Sequence, residues 1–179
     1  MREPYSAVTE EYELWSCHDI DSTEDEVIEL LGSLVRATKP RLCVEVGSHI
    51  GLASAEIGAA LERNGRGALH CFEVIPSSAE ATRQRTAGLP VTVHALADVK
   101  FDPAGLPGPV DFLFVDGDLD NRDASLRHWM PWLSENHLVA VHDSVKREQV
   151  REAIESVHPV QRIDVVTPRG ITLLKLEFR

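Results

Sequence analysis

Three aspartates at alternate positions are the feature of this sequence that most directly suggests chemistry. Asp116, Asp118 and Asp120 close the stretch "FLFVDGDLD" (residues 112–120), directly after an apolar run typical of a buried strand. Carboxylates this close repel one another, and burial raises the cost of their charge. Two interpretations are open: a solvated acidic loop, or a site in which a cation neutralises the carboxylates.

Glycine and acidic residues stand at or directly after other β-rich runs of the chain. Gly47, Glu73 and Asp143 each occupy such a position. If these runs are parallel strands, their carboxyl ends meet at one edge of the sheet, which is where open α/β sheets bind ligands. The sequence therefore predicts that these three residues and Asp116 converge on one site.

The elements that must position these residues alternate between helix and strand patterns. Helical spacing of apolar residues, short β-branched runs, and glycine or proline stops define them. The predicted helices cover residues 22–40, 52–65, 77–88, 122–134 and 146–157. Ser22 or Thr23 is expected to cap the first helix in a capping-box pattern, and Pro131 to kink or end the fourth. The predicted strands cover residues 41–46, 68–74, 91–96, 110–115 and 137–141, followed by two closing strands around Pro168 and Gly170. This alternation predicts an α/β fold with a single Rossmann-like, doubly wound sheet, mostly parallel with an antiparallel last strand.

Composition limits the classes of partner and the location. The chain has 179 residues and a formal net charge of −11, with no run of Lys or Arg, which argues against nucleic acid and anionic membranes as partners. Cys17, Cys43 and Cys71 form no CxxC pair, and the last two lie in strand-like runs, so we expect buried thiols in a reducing compartment. No signal peptide or membrane span is evident, and a cytoplasmic location is predicted. Residues 1–21 are predicted to form an arm or lid, and 22–179 one domain.

The turn after the first strand favours a nucleoside ligand. Gly47 and Gly51 bracket the entry into a helix, where free N–H groups and a close backbone suit an anionic group. The dinucleotide pattern G-x-G-x-x-G is absent, because His49 stands at the position of its second glycine. Glu73 is placed like the acid that accepts hydrogen bonds from ribose hydroxyls. These features favour a nucleoside without a pyrophosphate.

At these residues the sequence resembles the class I S-adenosylmethionine-dependent methyltransferases. "VEVGSHIG" resembles the first motif of that family, and "HCFEV" the second, whose acid holds the cofactor ribose. "DFLFVDGDLD…LRHWMPWLSENHLVAVHDS" resembles the strand–helix–strand half of the small-molecule O-methyltransferases. The resemblance covers roughly residues 25–179 and is closest to the metal-dependent catechol-type and macrocin-type branches.

The resemblance implies transfer of a methyl group from S-adenosylmethionine to a hydroxyl of a small molecule, assisted by a divalent cation. The implied cofactor-binding residues are Glu45, Gly47, Ser48, His49, Gly51, Glu73, Ala97, Asp98 and Asp116. The implied metal ligands are Asp116, His142 and Asp143, with Mg²⁺ the expected ion, and the implied catalytic residues are Asp116, His142 and Asp118.

Two departures from the family pattern leave alternatives open. Leu119 stands where many relatives have a His or Lys, so the general base is undetermined. His142 replaces the more usual acid beside Asp143, which weakens a hard-cation site or favours a softer metal. The alternatives are a non-catalytic cofactor- or nucleoside-binding module on the same fold, and a metal-dependent sugar-nucleotide enzyme that uses the D-x-D run. A homodimer is also open.

Overall fold

Strands and helices alternate along the chain, as the sequence predicts. The computed structural model describes residues 3–4 and 14–177. The strands are β1 (Glu3–Pro4), β2 (Ser16–Cys17), β3 (Leu42–Val46), β4 (Ala68–Phe72), β5 (Val91–His94), β6 (Val110–Val115), β7 (Leu133–His142), β8 (Gln161–Val165) and β9 (Ile171–Lys175). The helices are α1 (Asp25–Thr38), α2 (Leu52–Asn64), α3 (Pro76–Arg85), α4 (Arg122–Trp129) and α5 (Glu148–Ser156).

The main sheet has seven strands in the order β5–β4–β3–β6–β7–β9–β8. The first five in this order are mutually parallel, and β9 runs antiparallel to both β7 and β8. The predicted mostly parallel sheet with an antiparallel end is therefore confirmed. Strands β3 to β5 are added toward one side of the sheet, and the strands from β6 onward are added on the other side of β3. The carboxyl ends of the parallel neighbours β3 and β6 therefore form the topological switch point where such sheets bind ligands.

Two hydrophobic cores cover the two faces of the sheet. Side chains of a strand point alternately to either face, and in β3 Val44 and Val46 face one core while Cys43 faces the other. The first core is closed by α4 and α5 through Leu126, Trp129, Val150 and Ile154, and the second by α1 and α2 through Val27, Leu31, Val35, Ile57 and Leu61. The central parallel strands β3 and β6 are thus buried on both faces, which leaves their ends for function.

The start of α1 differs from the prediction. The helix begins at Asp25, and its N-cap position makes no side-chain capping hydrogen bond, so the capping-box prediction is wrong. The Ser22 hydroxyl instead donates to Asp19 at 2.8 Å, and the Thr23 hydroxyl donates to Asp116 at 2.7 Å. The Thr23 hydroxyl thus fixes the segment before α1 to the sheet edge, and the Ser22 hydroxyl closes a local turn, rather than capping the helix.

Pro131 divides the predicted helix 122–134. The helix ends at Trp129, a 3₁₀ turn covers residues 130–132, and β7 begins at Leu133 instead of residue 137. Proline has no N–H to donate to a preceding carbonyl, and its ring clashes with the helical turn before it. The predicted strand over 91–96 is also shorter, because β5 ends at His94.

The cysteines are buried, as the sequence predicts, and part of the predicted N-terminal arm forms a short strand pair. Cys17, Cys43 and Cys71 are buried and free, and burial raises the pKa of all three thiols. Of the predicted arm 1–21, β1 pairs antiparallel with β2, and residues 1–2 and 5–13 lie outside the described part. Within that part, no helix combines the length and apolar character needed to cross a bilayer.

Candidate active site

The turn after β3 needs glycine. Gly47 has φ +83°, and a Cβ there would lie 2.5 Å from Cα of Gly117 and 2.6 Å from the carbonyl oxygen of Asp116. Its N–H donates to the carbonyl of Phe72 at 2.9 Å. Gly51, with φ +80°, occupies the N-cap position of α2. The turn can therefore lie directly against the end of β6, and it leaves the N-terminus of α2 without a side-chain cap.

Glu73, directly after β4, is held by two backbone groups. One carboxylate oxygen accepts a hydrogen bond from the His49 N–H and the other from the Ile75 N–H, both at 2.8 Å. A carboxylate oxygen accepts more than one hydrogen bond, so each oxygen retains capacity for a further donor. This nearly buried acid is fixed in orientation and ready to accept from two hydroxyls.

A cavity of about 520 Å³ lies between these turns. Seven of the predicted site residues line it, namely Gly47, His49, Glu73, Ala97, Asp98, Asp116 and Asp118. Glu45 and Ser48 line a second space of only about 40 Å³, which is closed by residues 21–23. Gly51 lines neither space, and its contribution is the left-handed turn that leads into α2. The structure thus brings most of the predicted cofactor residues to one edge of the sheet.

The far wall of the large cavity is apolar. Val74, Ile75 and Val99 line it with unusually exposed apolar side chains. Asp98 is buried beside them, and its carboxylate accepts a hydrogen bond from the Trp129 indole N–H at 3.0 Å. This bond anchors the loop after β5 to α4, and the apolar wall suits a flat ring system.

Glu45 is a fully buried acid with one unused oxygen. Its Oε2 accepts a hydrogen bond from the Ser54 hydroxyl at 2.5 Å, and its Oε1 has no partner among the residues that the structure describes. Burial, assisted by the charges of Asp116 and Glu73, raises the pKa of Glu45 to about 8. A cationic group entering the small space beside it would supply the missing partner.

The three predicted metal ligands lie together. Asp116 follows β6, His142 ends β7, and Asp143 comes next with φ +64°. One potential ligand atom from each lies within 4.8 Å of the other two. Aspartate tolerates the left-handed conformation better than most residues, so the bend at Asp143 turns its carboxylate back toward Asp116.

Two arginines lie among these carboxylates. Arg122, the first residue of α4, donates from Nη2 to Asp116 at 3.0 Å and to Asp143 at 3.1 Å. Arg169, in the turn before β9, donates to the two oxygens of Asp143 at 2.8 and 3.4 Å. Both carboxylates are therefore already paired with cations of the chain itself.

His142 is enclosed between two acids. Its Nδ1 lies 3.0 Å from Asp116 and its Nε2 lies 2.7 Å from Glu24, and its side chain is 0% exposed. Burial alone would lower the pKa of His142, but the two carboxylates raise it to about 9. Burial alone would likewise raise the pKa values of Asp116 and Glu24, and the imidazolium holds both below their usual range. In this arrangement neither ring nitrogen is open to a ligand.

Asp118 lies apart from this cluster, at the rim of the large cavity. It is exposed, and its carboxylate accepts from the Asp120 N–H at 3.3 Å and from the Asn121 side-chain amide at 2.8 Å. These bonds stabilise a 3₁₀ turn that leads into α4. Of the three alternate aspartates, only Asp116 belongs to the buried cluster.

Four residues of the cluster are not among the site residues that the sequence predicted. They are Thr23, Glu24, Arg122 and Arg169. A usable signal exists only for Arg122, which follows Asp116 by six residues at the start of a predicted helix, because buried carboxylates need positive partners. Glu24 gives no such signal, since an acid before a helix is an ordinary capping choice.

The chain matches a methyltransferase family model, and its fold is that of methyltransferases. A family model described as a methyltransferase domain matches residues 44–144, which is more than half of the chain. The chain therefore belongs to the methyltransferase domain family, and its resemblance to the class I S-adenosylmethionine-dependent methyltransferases is confirmed. Among curated proteins, none matches the chain.

Solved structures share the fold at low sequence identity. The O-methyltransferase TomG from Streptomyces achromogenes, in complex with SAM, is 21% identical, with a TM-score of 0.74 over 87% of this chain and 81% of its own. The O-methyltransferase from Bacillus cereus, in complex with SAH, is 16% identical, with a TM-score of 0.75 over 89% and 84%. The SAH-bound methyltransferase PaMTH1 from Podospora anserina is 12% identical, with a TM-score of 0.74 over 88% and 81%.

Proposed function

We propose that this methyltransferase moves a methyl group from S-adenosylmethionine to a hydroxyl of a small molecule. The observation that carries the proposal is the pairing of Glu73, held by two backbone N–H groups, with a 520 Å³ cavity at the switch point of the sheet. Glu73 would accept the two ribose hydroxyls, and the apolar wall of Val74, Ile75 and Val99 would cover the adenine. Structures of the same fold with SAM or SAH bound support this choice of donor.

The small space beside Glu45 suits the methionine end of the donor. An ammonium group there would pair with the unused Oε1 of Glu45. The uncapped N–H groups at the start of α2 would meet the carboxylate, since helix N-termini favour anions. Because residues 21–23 close this space to about 40 Å³, we propose that this segment moves when the donor binds.

S-adenosylmethionine supplies an electrophilic methyl carbon on a sulfonium, whose sulfur leaves as a neutral thioether. The protein needs no acid for the leaving group; it must align the acceptor oxygen with the methyl carbon and accept the hydroxyl proton. We propose Asp118 as the proton acceptor, because it is the exposed carboxylate on the cavity rim, whereas His142 has both nitrogens engaged. His142 is then a positioning residue that fixes Asp116.

The divalent cation expected from the sequence remains a prediction, and the donor set as arranged does not fit it. Both oxygens of Asp143 accept from Arg169, and the oxygens of Asp116 accept from Thr23, His142 and Arg122. A dication placed among them would compete with two guanidinium groups for the same lone pairs.

Calorimetric titration with S-adenosylhomocysteine tests donor binding. Glu73→Gln should weaken binding about 10- to 100-fold, because hydrogen bonds to a charged group contribute about 1.5 to 3 kcal/mol. Glu80→Gln, an exposed acid on α3, is the matched control and should bind like wild type. Equal affinities for wild type and Glu73→Gln would contradict the assignment of the ribose site.

Methyl transfer from labelled donor to a panel of catechols, other phenols and sugars tests the acceptor class. Asp118→Asn should lower kcat at least tenfold with little change in donor affinity, because general base catalysis contributes about 10²–10⁴-fold. Binding of the donor without transfer to any hydroxyl acceptor would favour the binding-module alternative. The hydroxyl acceptor, the homodimer and the cytoplasmic location remain predictions.

A further inference from the structure

All three nitrogens of the Arg122 guanidinium group donate hydrogen bonds at the cluster of Asp116, His142 and Asp143. Besides its bonds to Asp116 and Asp143, its Nε donates to the carbonyl of Gly117 at 3.0 Å, and its Nη1 donates to the carbonyls of Val115 at 2.7 Å and His142 at 3.0 Å. An arginine has five N–H donors, so every one of them has an acceptor. The side chain is only 2% exposed. Because all five donors are used and the side chain is buried, Arg122 is a fixed positive charge of the fold.

Arg169 completes the positive set from the opposite side. Its Nε and Nη2 donate to the carboxylate of Asp143, and its Nη1 donates to the carbonyl of Ser22 at 2.8 Å. Its side chain is 13% exposed, so it is the arginine nearer to solvent. Arg122 and Arg169 together carry two positive charges, which balance the two negative charges of Asp116 and Asp143.

All four oxygens of these two carboxylates are already hydrogen-bonded. Asp116 accepts from Thr23 on Oδ2 and from Arg122 on Oδ1, and Asp143 accepts from an arginine on each oxygen. A divalent cation would have to share or displace these donors, and here it would also meet two fixed positive charges at contact distance, which repel it.

We propose that Arg122 and Arg169 stand in the place of the divalent cation, so that this methyltransferase holds its paired aspartates and carries out its reaction without a divalent metal. The guanidinium groups supply the two positive charges that a divalent cation would otherwise bring to Asp116 and Asp143. The catalytic half of this inference rests on the proposed O-methyl transfer, whereas the half that concerns metal binding does not.

Thermal unfolding with MnCl₂ as the probe tests the metal half. The Mn²⁺ effect of this site is the difference in Tm shift between wild type and Asp143→Asn, each measured in Mn²⁺ and in EDTA, because other surface acids are common to both proteins. We expect no difference. A larger Mn²⁺-dependent rise in wild type than in Asp143→Asn would overturn the proposal.

Removal of one guanidinium should open the site to metal. Arg169→Gln should gain a Mn²⁺-dependent rise in Tm of about 5–10 °C at a Mn²⁺ concentration 100 times its Kd. The matched control is Arg162→Gln, which removes the same charge from an Arg–Asp pair on β8, where Nε of Arg162 donates to both carboxylate oxygens of Asp164, and it should gain nothing. Equal Mn²⁺ shifts in the two variants would overturn the proposal. If Arg169→Gln does not fold, the comparison of wild type with Asp143→Asn still decides.

The catalytic half has its own readout. With an acceptor that wild type methylates, the rate should be equal in EDTA and in Mg²⁺, and a tenfold or larger loss in EDTA would overturn metal-independent transfer. Failure of the protein to bind S-adenosylhomocysteine would contradict the proposed function instead, and would leave the outcome of the Mn²⁺ comparisons unchanged.

Discussion

Replacing Glu45 with glutamine should stabilise the protein, and more strongly as the pH rises. Glu45 is fully buried with one oxygen unpaired, and its pKa is raised from an ordinary value of 4.5 to about 8. The folded protein therefore keeps this proton up to about pH 8, whereas the unfolded chain loses it near pH 4.5. Between these values unfolding releases a proton, so rising pH favours the unfolded state. Glutamine has nearly the same shape and does not ionise.

The magnitude follows from the width of this pH interval. Each pKa unit corresponds to about 1.36 kcal/mol, so the penalty from Glu45 grows by about 3–4 kcal/mol between pH 5 and pH 8. The stability of Glu45→Gln relative to wild type should increase by that amount over the same range. For a chain of this size, the gap in Tm should widen by about 6–16 °C.

Urea unfolding followed by tryptophan fluorescence at pH 5, 6, 7 and 8 measures this difference. Glu80→Gln, in which the replaced acid is exposed on α3, should show no change with pH relative to wild type. Parallel pH profiles for wild type and Glu45→Gln would refute the reasoning, since they would mean that Glu45 ionises normally in the fold. Saturating S-adenosylhomocysteine should reduce the effect, because a bound ammonium would favour the ionised carboxylate.

Three further substitutions test the geometry of the site. Gly47→Ala should cost about 2–5 kcal/mol, from left-handed strain and contact with backbone 2.5 Å away, whereas Gly65→Ala, with φ +66° and open space, should cost only about 1–2 kcal/mol in urea unfolding. Trp129→Phe removes the indole N–H that a buried carboxylate accepts, and should lower stability by about 2–4 kcal/mol and weaken S-adenosylhomocysteine binding in calorimetry. Thr23→Val removes a donor to Asp116, and should cost about 1–3 kcal/mol by thermal unfolding, while an unchanged Tm would mean that water replaces the hydroxyl.

The fold was predictable because its signals are local. Apolar runs ending in glycine or acid gave the strand ends, and the parallel rule brought Gly47, Glu73 and Asp116 to one edge, as the structure has them. The errors have different causes. Strand β7 begins at Leu133, four residues before the predicted strand, and Thr23 makes a bond to Asp116, 93 residues away, in place of a cap. When a side chain has two possible hydrogen-bond partners, tertiary packing decides between them, and the periodicity of the sequence carries no information about that packing.

The acidic cluster was only half predictable. Acids after parallel strands are brought together by topology, so Asp116 and Asp143 could be paired from the sequence. What neutralises them depends on where long, flexible side chains reach. Arg122 and Arg169 reach the cluster from a helix start and a tight turn, and the sequence records neither direction. A motif therefore locates buried charge more securely than it identifies the counter-charge.

The buried cluster around Asp116 and Asp143 joins residues that the ribosome synthesises at widely separated times. Glu24 accepts a hydrogen bond from the backbone N–H of Arg169, 145 residues later. During synthesis on the ribosome, Glu24 emerges long before Arg169, and its carboxylate must stay hydrated until its partners from the C-terminal half of the chain reach it. We therefore expect the cluster to be completed late in folding, and a nascent chain that ends before Arg169 should lack one of the two arginines that neutralise its carboxylates.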